Sequence, residues 1–346
     1  MTPLRLALAG AGLIGKRHAE LIRDSAECEL CAIVDPAPGA VGYAREQGMP
    51  LYATLSELFA ATPPDGVIIA TPNALHVANA LDCIERGVPA LIEKPVADSV
   101  IDGERLIDAA AKSDVPLLVG HHRRHSPLLA KAREIVQGGD LGPLVAVTGS
   151  AMFYKPDVYF DDGPWRKEPG GGPILINMIH EVDNLRTICG EIVAVQALAS
   201  NATRGFAVED TVAIGLSFAN GALGTFMLSD TAASARNWEQ TSGENASYPN
   251  YGDEDCYLFA GTRGSLAFPT MRLKTYAGER SWWKPFATDV AAVLRADPLA
   301  RQLAHFCAVI RCEATPLCSV GDGVTTLRVT LAIADAARTG RNVTIQ

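Results

Sequence analysis

The stretch LRLALAGAGLIG, residues 4–15, carries an apolar run straight into a Gly-x-Gly-x-x-Gly turn. A second apolar run, 31–34, ends at Asp35, twenty residues after the last glycine of the turn. This order of strand, tight turn, helix and strand, with an acid at this spacing, is the fingerprint of a dinucleotide-binding unit. Because Asp35 can accept hydrogen bonds from the adenosine ribose and would repel a 2′-phosphate, the sequence predicts NAD as the cofactor rather than NADP.

Each glycine of the turn has its own expected task. Gly10 permits the sharp turn, Gly12 lets the backbone approach the pyrophosphate, and Gly15 allows helix and strand to pack closely. Leu13 and Ile14 complete the cofactor contacts that we expect in this turn. The pyrophosphate is expected on the unpaired N–H groups at the N-terminus of the first helix.

The composition sets the class of protein. The chain has 346 residues, 48% of them apolar, which is enough for two domains with their own cores. The formal net charge is −9 and the basic residues form no cluster, which argues against nucleic acid and anionic membrane surfaces as partners. No apolar run approaches the roughly 18–20 residues that span a bilayer.

The eight cysteines are scattered singly through apolar segments. This favours buried free thiols over a metal or redox site, and we expect no bound metal. A strand is predicted within three residues of the N-terminus, which leaves no room for a signal peptide. We therefore expect a cytoplasmic protein.

The first 120 residues alternate between short apolar runs and amphipathic segments, as in a parallel sheet wound with helices on both faces. The predicted strands are 4–9, 30–34, 66–70, 89–92 and 116–119. The predicted helices are 14–25, 39–47, 55–61, 74–86 and 99–112. The fold class is therefore α/β, with residues 1–123 as a Rossmann domain.

After about residue 125 the chain changes to long alternating runs, which indicate a large, mainly antiparallel open sheet in an α+β domain at 124–346. The predicted strands are 144–152, 193–199, 211–218, 222–228, 257–259 and 265–273. The predicted helices are 127–137, 173–189, 297–312 and 321–339, and the last of them is a candidate to pack back toward the first domain. The segment 230–256 lacks periodicity, and its length indicates a functional loop.

Polar residues follow two of the predicted parallel strands, at the edge where such sheets bind ligands. Thr71, Asn73 and His76 follow the third strand and are candidate cofactor contacts, although Asn73 equally suits a helix cap. The fourth strand ends in Glu93 and Lys94, which we also assign to the cofactor site. Because a proline follows Lys94 and holds it extended, its ammonium is expected at the mouth of the cleft.

A second candidate for chemistry is His180, on a helix that follows the glycines 170–172. Asn177 lies three residues before this histidine, and Asp183 and Asn184 lie three and four residues after it. These spacings place polar partners on the same helix face. A histidine with such neighbours is a candidate general base.

The remaining candidates are expected to bind substrate. They combine aromatic rings with polar groups that bind hydroxyls, an arrangement that suits a sugar ring. The set comprises His122, Arg123, Lys155, Tyr159, Trp165, Arg166, Asn177 and His180.

These motifs resemble the Gfo/Idh/MocA family of NAD(P)-dependent oxidoreductases, and the resemblance covers essentially the whole chain. It rests on the turn at 10–18, Thr71-Pro72-Asn73 with His76, Glu93-Lys94-Pro95, and the glycines 170–172 with His180 and Asp183. It implies a Rossmann domain, a second domain on an open sheet, a substrate cleft between them, and homodimers or homotetramers formed through that sheet. Lys94 and His180 then match the catalytic lysine and histidine of the family.

The chain differs from the family pattern at one position. Many members carry an aspartate four residues before the histidine, and here that position is Ile176, with Asn177 one step along. Isoleucine cannot accept a hydrogen bond. Asn177 can reach either the histidine or a substrate hydroxyl, but it cannot serve as a carboxylate.

Together these observations predict a dehydrogenase that transfers a hydride between NAD and a secondary alcohol or ketone of a sugar, polyol or inositol. His180 is the expected base, and Lys94 is the cation that stabilises the developing alkoxide. Two alternatives stay open. One is a dehydrogenase or reductase acting on a cyclic diol or an imine-type substrate, and the other is an NAD-binding sensor or regulatory protein with little turnover.

Overall fold

The computed structural model describes residues 2–345, which form two compact units. The first unit contains the residues up to His122 together with Pro298–Leu327. The second contains Arg123–Asp297 together with the residues from Arg328 onward.

The first unit is built on a six-stranded parallel sheet. Its strands are β1 (Leu4–Ala9), β2 (Cys28–Val34), β3 (Leu51–Tyr52), β4 (Gly66–Ile69), β5 (Ala90–Glu93) and β6 (Leu117–Gly120), in the spatial order β3-β2-β1-β4-β5-β6. Its helices are α1 (Leu13–Arg23), α2 (Pro38–Gln47), a 3-10 helix (Asn73–Leu75), α3 (Leu55–Ala61), α4 (His76–Arg86), α5 (Val100–Ala110) and α10 (Pro298–Ile310). This arrangement confirms the predicted doubly wound Rossmann sheet.

The central strands of this sheet are buried on both faces. Leu6, Leu8, Ile68 and Leu91 are all fully buried. Strands that are covered on both faces have continuous apolar runs in the sequence, and these runs are why the strands could be predicted. The two-residue strand β3 was not predicted, because it is too short to show a pattern.

The second unit contains a nine-stranded sheet. Its strands are β7 (Leu144–Met152), β8 (Ile192–Ser200), β9 (Thr211–Phe218), β10 (Leu223–Ser229), β11 (Tyr257–Gly261), β12 (Gly264–Phe268), β13 (Arg272–Thr275), β14 (Ala287–Val290) and β15 (Val343–Thr344), in the order β14-β13-β12-β11-β7-β10-β9-β8-β15. Its helices are α6 (Pro127–Gln137), α7 (Asp157–Asp161), α8 (Ile179–Cys189) and α9 (Trp238–Thr241). A final helix, α11 (Val320–Thr339), contributes residues to both units.

This sheet has one buried face and one exposed face, as the alternating pattern predicted. In β10, Phe226 and Leu228 are buried, whereas Leu223 and Met227 are exposed. Strands β7 and β10 pair in parallel, and every other neighbouring pair in the sheet is antiparallel. The predicted open, mainly antiparallel sheet is therefore confirmed.

The predicted single run 265–273 is wrong in detail, because the structure divides it into β12 and β13. The chain reverses between them at Pro269, which has no N–H to donate to a ladder, and at Met271, whose φ of 59° is left-handed. The short strands β14 and β15 were not predicted.

Residues 298–327 group with the first unit, whereas the predicted second domain covered 124–346 and named only the helix at 321–339 as a candidate to pack back toward the first. The reason is packing of the C-terminal segment against the parallel sheet. Phe306 and Ile310 of α10 lie over Gly66 at the start of β4. In addition, the Val119 N–H donates to the Cys318 carbonyl at 2.9 Å, which ties this segment to β6.

Among residues 2–345, no helix combines the length and the apolar character needed to cross a bilayer.

Candidate functional site

The turn after β1 requires glycine at two positions. Gly10 has a φ of +96°, and a Cβ there would lie 2.4 Å from the Ala70 carbonyl oxygen at the end of β4. A Cβ on Gly15 would lie 2.0 Å from the Gly10 carbonyl oxygen. Both distances are far below van der Waals contact, so side chains at these positions would force the turn open.

The surface of this turn fits a dinucleotide. A Cβ on Gly12 would meet nothing within 4 Å, so its backbone is open to a ligand. Leu13 is 84% exposed and Ile14 is also exposed, although both are apolar. The first amides of α1 follow directly, and helix N-termini bind phosphate oxygens. A bound pyrophosphate would therefore meet backbone N–H groups and cover exposed apolar side chains.

Asp35 lies beside the same turn. Its Oδ2 accepts a hydrogen bond from the Ala11 N–H and its Oδ1 accepts one from the Ala37 N–H, both at 2.8 Å. A carboxylate fixed at the carboxyl end of β2 is suited to accept ribose hydroxyls.

The structure holds the Glu93–Lys94 turn by a buried carboxylate. Glu93 Oε1 lies 2.7 Å from Nε2 of the buried His18 on α1, and Glu93 Oε2 accepts from the Lys94 N–H at 3.1 Å. Burial alone would raise the pKa of the Glu93 carboxyl, but the hydrogen bond and charge of His18, with Lys94 and His122 nearby, lower that pKa to about 2. Glu93 therefore shapes the turn that presents Lys94.

The three candidates after β4 occupy different positions. Thr71 is half-buried and its Oγ1 accepts from Asn79 Nδ2, while Asn73 is exposed at the start of its 3-10 helix. His76 is buried, and both of its ring nitrogens lie near backbone carbonyls, those of Pro95 and Thr71. This geometry leaves Thr71 and Asn73 at the surface and turns His76 toward the backbone behind them.

The helix that carries His180 begins with a π-helical turn, Ile174–Met178, which continues into α8. Glu209 Oε1 accepts from the Ile174 N–H at 3.0 Å and so satisfies the start of this turn. π turns are rare and often occur at functional sites. His180 itself is half-buried.

The predicted partners of His180 are also engaged by other side chains. Asp183 accepts two hydrogen bonds from Arg124, from Nε at 2.9 Å and from Nη2 at 2.8 Å. The Asn184 amide lies 3.0 Å from the Tyr257 hydroxyl oxygen. The structure thus uses Asp183 and Asn184 to anchor the helix.

Asn177 is oriented by a lysine. Lys155 Nζ donates to Asn177 Oδ1 at 2.7 Å and lies 3.7 Å from Asp230 Oδ2. Because a lysine only donates, Asn177 must present its oxygen to Lys155 and direct its NH₂ group elsewhere. Asn177 is therefore held as a donor, three residues before His180.

Tyr159, Trp165 and Arg166 come together as a stack. The Arg166 guanidinium carbon lies 3.9 Å from the Tyr159 ring centroid and 5.3 Å from that of Trp165. Trp165 is 56% exposed, so much of its indole ring is open to solvent. An exposed ring next to a guanidinium can pack against the C–H face of a sugar while the cation binds its oxygens.

Arg123 and His122 are placed differently from that stack. Arg123 is buried, donates to Glu181 Oε1 at 2.7 Å and to Glu239 Oε1 at 3.0 Å, and lies over the Trp238 ring. Burial would lower the pKa of Arg123, but the two carboxylates raise it. Arg123, expected to bind substrate, thus sits in a buried ion-pair network, while His122 is half-buried at the start of a 3-10 helix.

Several charged residues of this region were not singled out by sequence. They are the buried carboxylates of Glu181, Asp230 and Glu244, the half-buried carboxylates of Glu209 and Glu239, and Arg204. The only signal was an acid inside an apolar helical segment, as with Glu181 between Ile179 and Val182.

Glu244 gives one testable prediction. Its Oε1 accepts from the Ser126 hydroxyl at 2.6 Å, and burial raises the pKa of this carboxyl from 4.5 to about 7. Between these values the folded protein holds a proton that the unfolded chain releases, so stability falls as pH rises from 4.5 to 7. Glu244→Gln should remove this decline and be more stable than wild type at pH 8, by up to about 3 kcal/mol.

Urea unfolding of both proteins at pH 5 and pH 8 measures the effect. The exposed Glu254, in the same loop, supplies the control variant Glu254→Gln, which should leave the pH dependence unchanged. Parallel stability curves for wild type and Glu244→Gln would contradict the prediction.

Comparison with known families agrees with this geometry. Residues 4–121 match an oxidoreductase family with an NAD-binding Rossmann fold, and residues 129–267 match the Gfo/Idh/MocA C-terminal domain. The fold and the glycine turn thus define an NAD-binding oxidoreductase. The chain belongs to the Gfo/Idh/MocA family, since the two matched segments together cover most of its length.

Individual relatives show how far the likeness extends. The chain is 28% identical to 1,5-anhydro-D-fructose reductase of Ensifer adhaerens, over 99% of this chain and 98% of that protein. It is 31% identical to the rhizopine catabolism protein MocA of Rhizobium meliloti over 55% of this chain, a match that spans only 59% of MocA. A solved structure of an oxidoreductase from Agrobacterium radiobacter, in complex with NAD+, L-tartaric acid and magnesium, has the same fold, with a TM-score of 0.80, 23% identity and 99% of each chain covered.

Proposed function

We propose that this protein transfers a hydride between NAD and a secondary alcohol or ketone of a sugar, polyol or inositol. The observation that carries the proposal is Lys94, which directly follows a strand of an NAD-binding Rossmann sheet in a turn fixed by the buried Glu93. A lysine at the carboxyl end of such a strand lies on the edge where these sheets bind their ligands.

The proton chemistry is assigned to two residues. His180 removes the hydroxyl proton, because an imidazole titrates near neutral pH. Lys94 donates a charge-assisted hydrogen bond to the substrate oxygen as negative charge develops on it. In the reductive direction the same pair returns the proton to the ketone oxygen. NAD, when bound, supplies the hydride acceptor or donor.

Cofactor binding is assigned to the residues around the glycine turn and the strand ends. Asp35 binds the adenosine ribose, and Thr71 and Asn73 contact the nicotinamide half. The backbone of the turn, with Leu13 and Ile14, covers the pyrophosphate.

Substrate binding is assigned to the second unit. The exposed Trp165 ring and the Arg166 guanidinium suit a polyhydroxylated ring, and the Asn177 NH₂ group suits a substrate hydroxyl or carbonyl oxygen. The anhydro-sugar named for the Ensifer relative supports this substrate class.

We also propose a homodimer or homotetramer formed through the open sheet. The solvent face of the sheet carries exposed apolar side chains, which a second subunit would remove from water. They are Val145, Leu198, Leu223, Met227 and Leu258. Light scattering on the purified protein tests the assembly. The eight free cysteines support a reducing, cytoplasmic setting.

The test of the reaction is absorbance at the reduced-nicotinamide band, with purified protein, NAD and a panel of inositols, aldoses, glycosides and dihydrodiols. Growth of the band with inositols, aldoses or glycosides supports the proposal and names the substrate group. Growth only with dihydrodiols would favour the cyclic-diol alternative. A flat trace in both reaction directions, with NAD binding confirmed by calorimetry, would contradict the proposal and favour a sensor.

A further inference from the structure

We propose that His76 is a positioning residue for Lys94, and that it acts together with His18 by holding the two residues on either side of that lysine. The inference rests on the proposed function insofar as Lys94 acts on substrate. The two buried imidazoles, His18 and His76, would then both position Lys94, although they lie far from it in the sequence.

His76 holds the residue after Lys94. Its Nδ1 lies 2.7 Å from the Pro95 carbonyl oxygen, and its Nε2 lies 2.8 Å from the Thr71 carbonyl oxygen. The side chain is 1% exposed, so water does not replace either contact. The ring therefore links the backbone just beyond Lys94 to the backbone at the carboxyl end of β4.

His18 holds the residue before Lys94. Its Nε2 donates to Glu93 Oε1 at 2.7 Å, and the second oxygen of that carboxylate accepts from the Lys94 N–H at 3.1 Å. His18 is fully buried on α1, the helix whose N-terminus follows the glycine turn. A chain of two hydrogen bonds thus runs from α1 to the backbone of Lys94.

These contacts tie the Lys94 backbone on both sides to the elements that surround the cofactor turn. The lysine side chain has several rotatable bonds. Its ammonium can therefore be held in one direction only if the backbone that carries the side chain is itself fixed. Loss of either imidazole would free one end of the turn, and small displacements of a catalytic group lower rates steeply. Cofactor contacts on the glycine turn would remain.

His76 is the better residue to change, because removing His18 would leave the buried Glu93 carboxylate without its partner. His76→Leu removes both ring nitrogens and their contacts with the Pro95 and Thr71 carbonyls, whereas His76→Gln keeps an N–H donor of similar reach. His305→Gln, an imidazole of the same unit whose Nε2 accepts from the Leu317 N–H, is the matched control.

The first readout is kinetic. We expect His76→Leu to lower kcat about 10²-fold, with the Kd of NAD from calorimetry changed less than twofold. His76→Gln should recover part of the lost kcat, and His305→Gln should match wild type. If His76→Leu raises the Kd of NAD by as large a factor as it lowers kcat, the positioning role is wrong. It is also wrong if His76→Gln restores none of the lost kcat.

The second readout needs no substrate. Lysines labelled by ¹³C reductive methylation give separate NMR signals, and Lys94→Arg assigns the one from Lys94. We expect this signal to move in His76→Leu and to return toward its wild-type position in His76→Gln, while the Lys155 signal stays in place. An unmoved Lys94 signal would overturn the inference. A moved signal with unchanged turnover would instead uphold the positioning and contradict the catalytic role of Lys94.

Discussion

Replacing His180 with alanine is expected to lower kcat at saturating substrate by about 10²–10⁴-fold, the range typical for loss of a general base. The α8 helix should keep its place, because Asp183 stays bound to Arg124 and Asn184 stays beside Tyr257. The Kd of NAD should be unchanged, since the expected cofactor contacts lie elsewhere. Initial rates from the absorbance of reduced nicotinamide, with calorimetric NAD binding, measure both quantities.

His305→Ala is the matched control, because it removes an imidazole from the first unit and should leave kcat unchanged. Near-normal turnover in His180→Ala would mean that another group takes the proton. Recovery of the His180→Ala rate by added imidazole would support the assignment directly.

Replacing Arg123 with methionine is expected to destabilise the protein by about 3–5 kcal/mol, the cost of removing one partner from a buried ion pair. The substitution leaves the carboxylates of Glu181 and Glu239 without the guanidinium that bonds both. It also removes the cation stacked on Trp238. Urea unfolding at pH 7 measures the loss.

Arg236→Met provides the comparison. Arg236 pairs with Glu254 at 3.8 Å, but both side chains are about half exposed, and such surface pairs contribute at most about 1 kcal/mol. Equal stability of the two variants would contradict the structural role of Arg123. Adding Glu181→Gln to Arg123→Met should recover part of the loss, because it removes one unpaired buried charge.

The Rossmann unit was predictable because its signals are local. The glycine turn, its flanking apolar strands and Asp35 lie within 35 residues of the N-terminus. The central strands of this unit are buried on both faces, so they appear in the sequence as apolar runs. Lys94 could be recognised as a candidate site residue from the same local pattern, because it closely follows an apolar run and precedes a proline.

The partners of the site residues were not predictable, because they come from distant parts of the chain. Arg123 pairs with Glu181 and Glu239, which lie 58 and 116 residues away. An arginine just after a parallel strand is easily taken for a ligand contact when the carboxylates that pair with it are not known. In the same way, His76 gave no sequence signal for the Pro95 carbonyl, 19 residues later.

Short, exposed strands are the other part of the fold that could not be predicted from the sequence. All four residues of β14 are exposed, and within residues 2–345 its only strand pairing is with β13. Without a buried face such a segment has no alternation, so pairing rather than composition makes it a strand.

The π turn at Ile174–Met178 holds one residue more than the α-helical turn that it replaces. The extra residue shifts the positions before the turn by one relative to His180, compared with an uninterrupted α-helix. Counting four positions back from the histidine reaches Ile176 here, but the same count ends at a different place in a relative whose helix is uninterrupted. An alignment with a relative whose helix is uninterrupted should therefore allow a one-residue gap at 174–178, and the counterpart of that relative's aspartate is found by superposition rather than by counting.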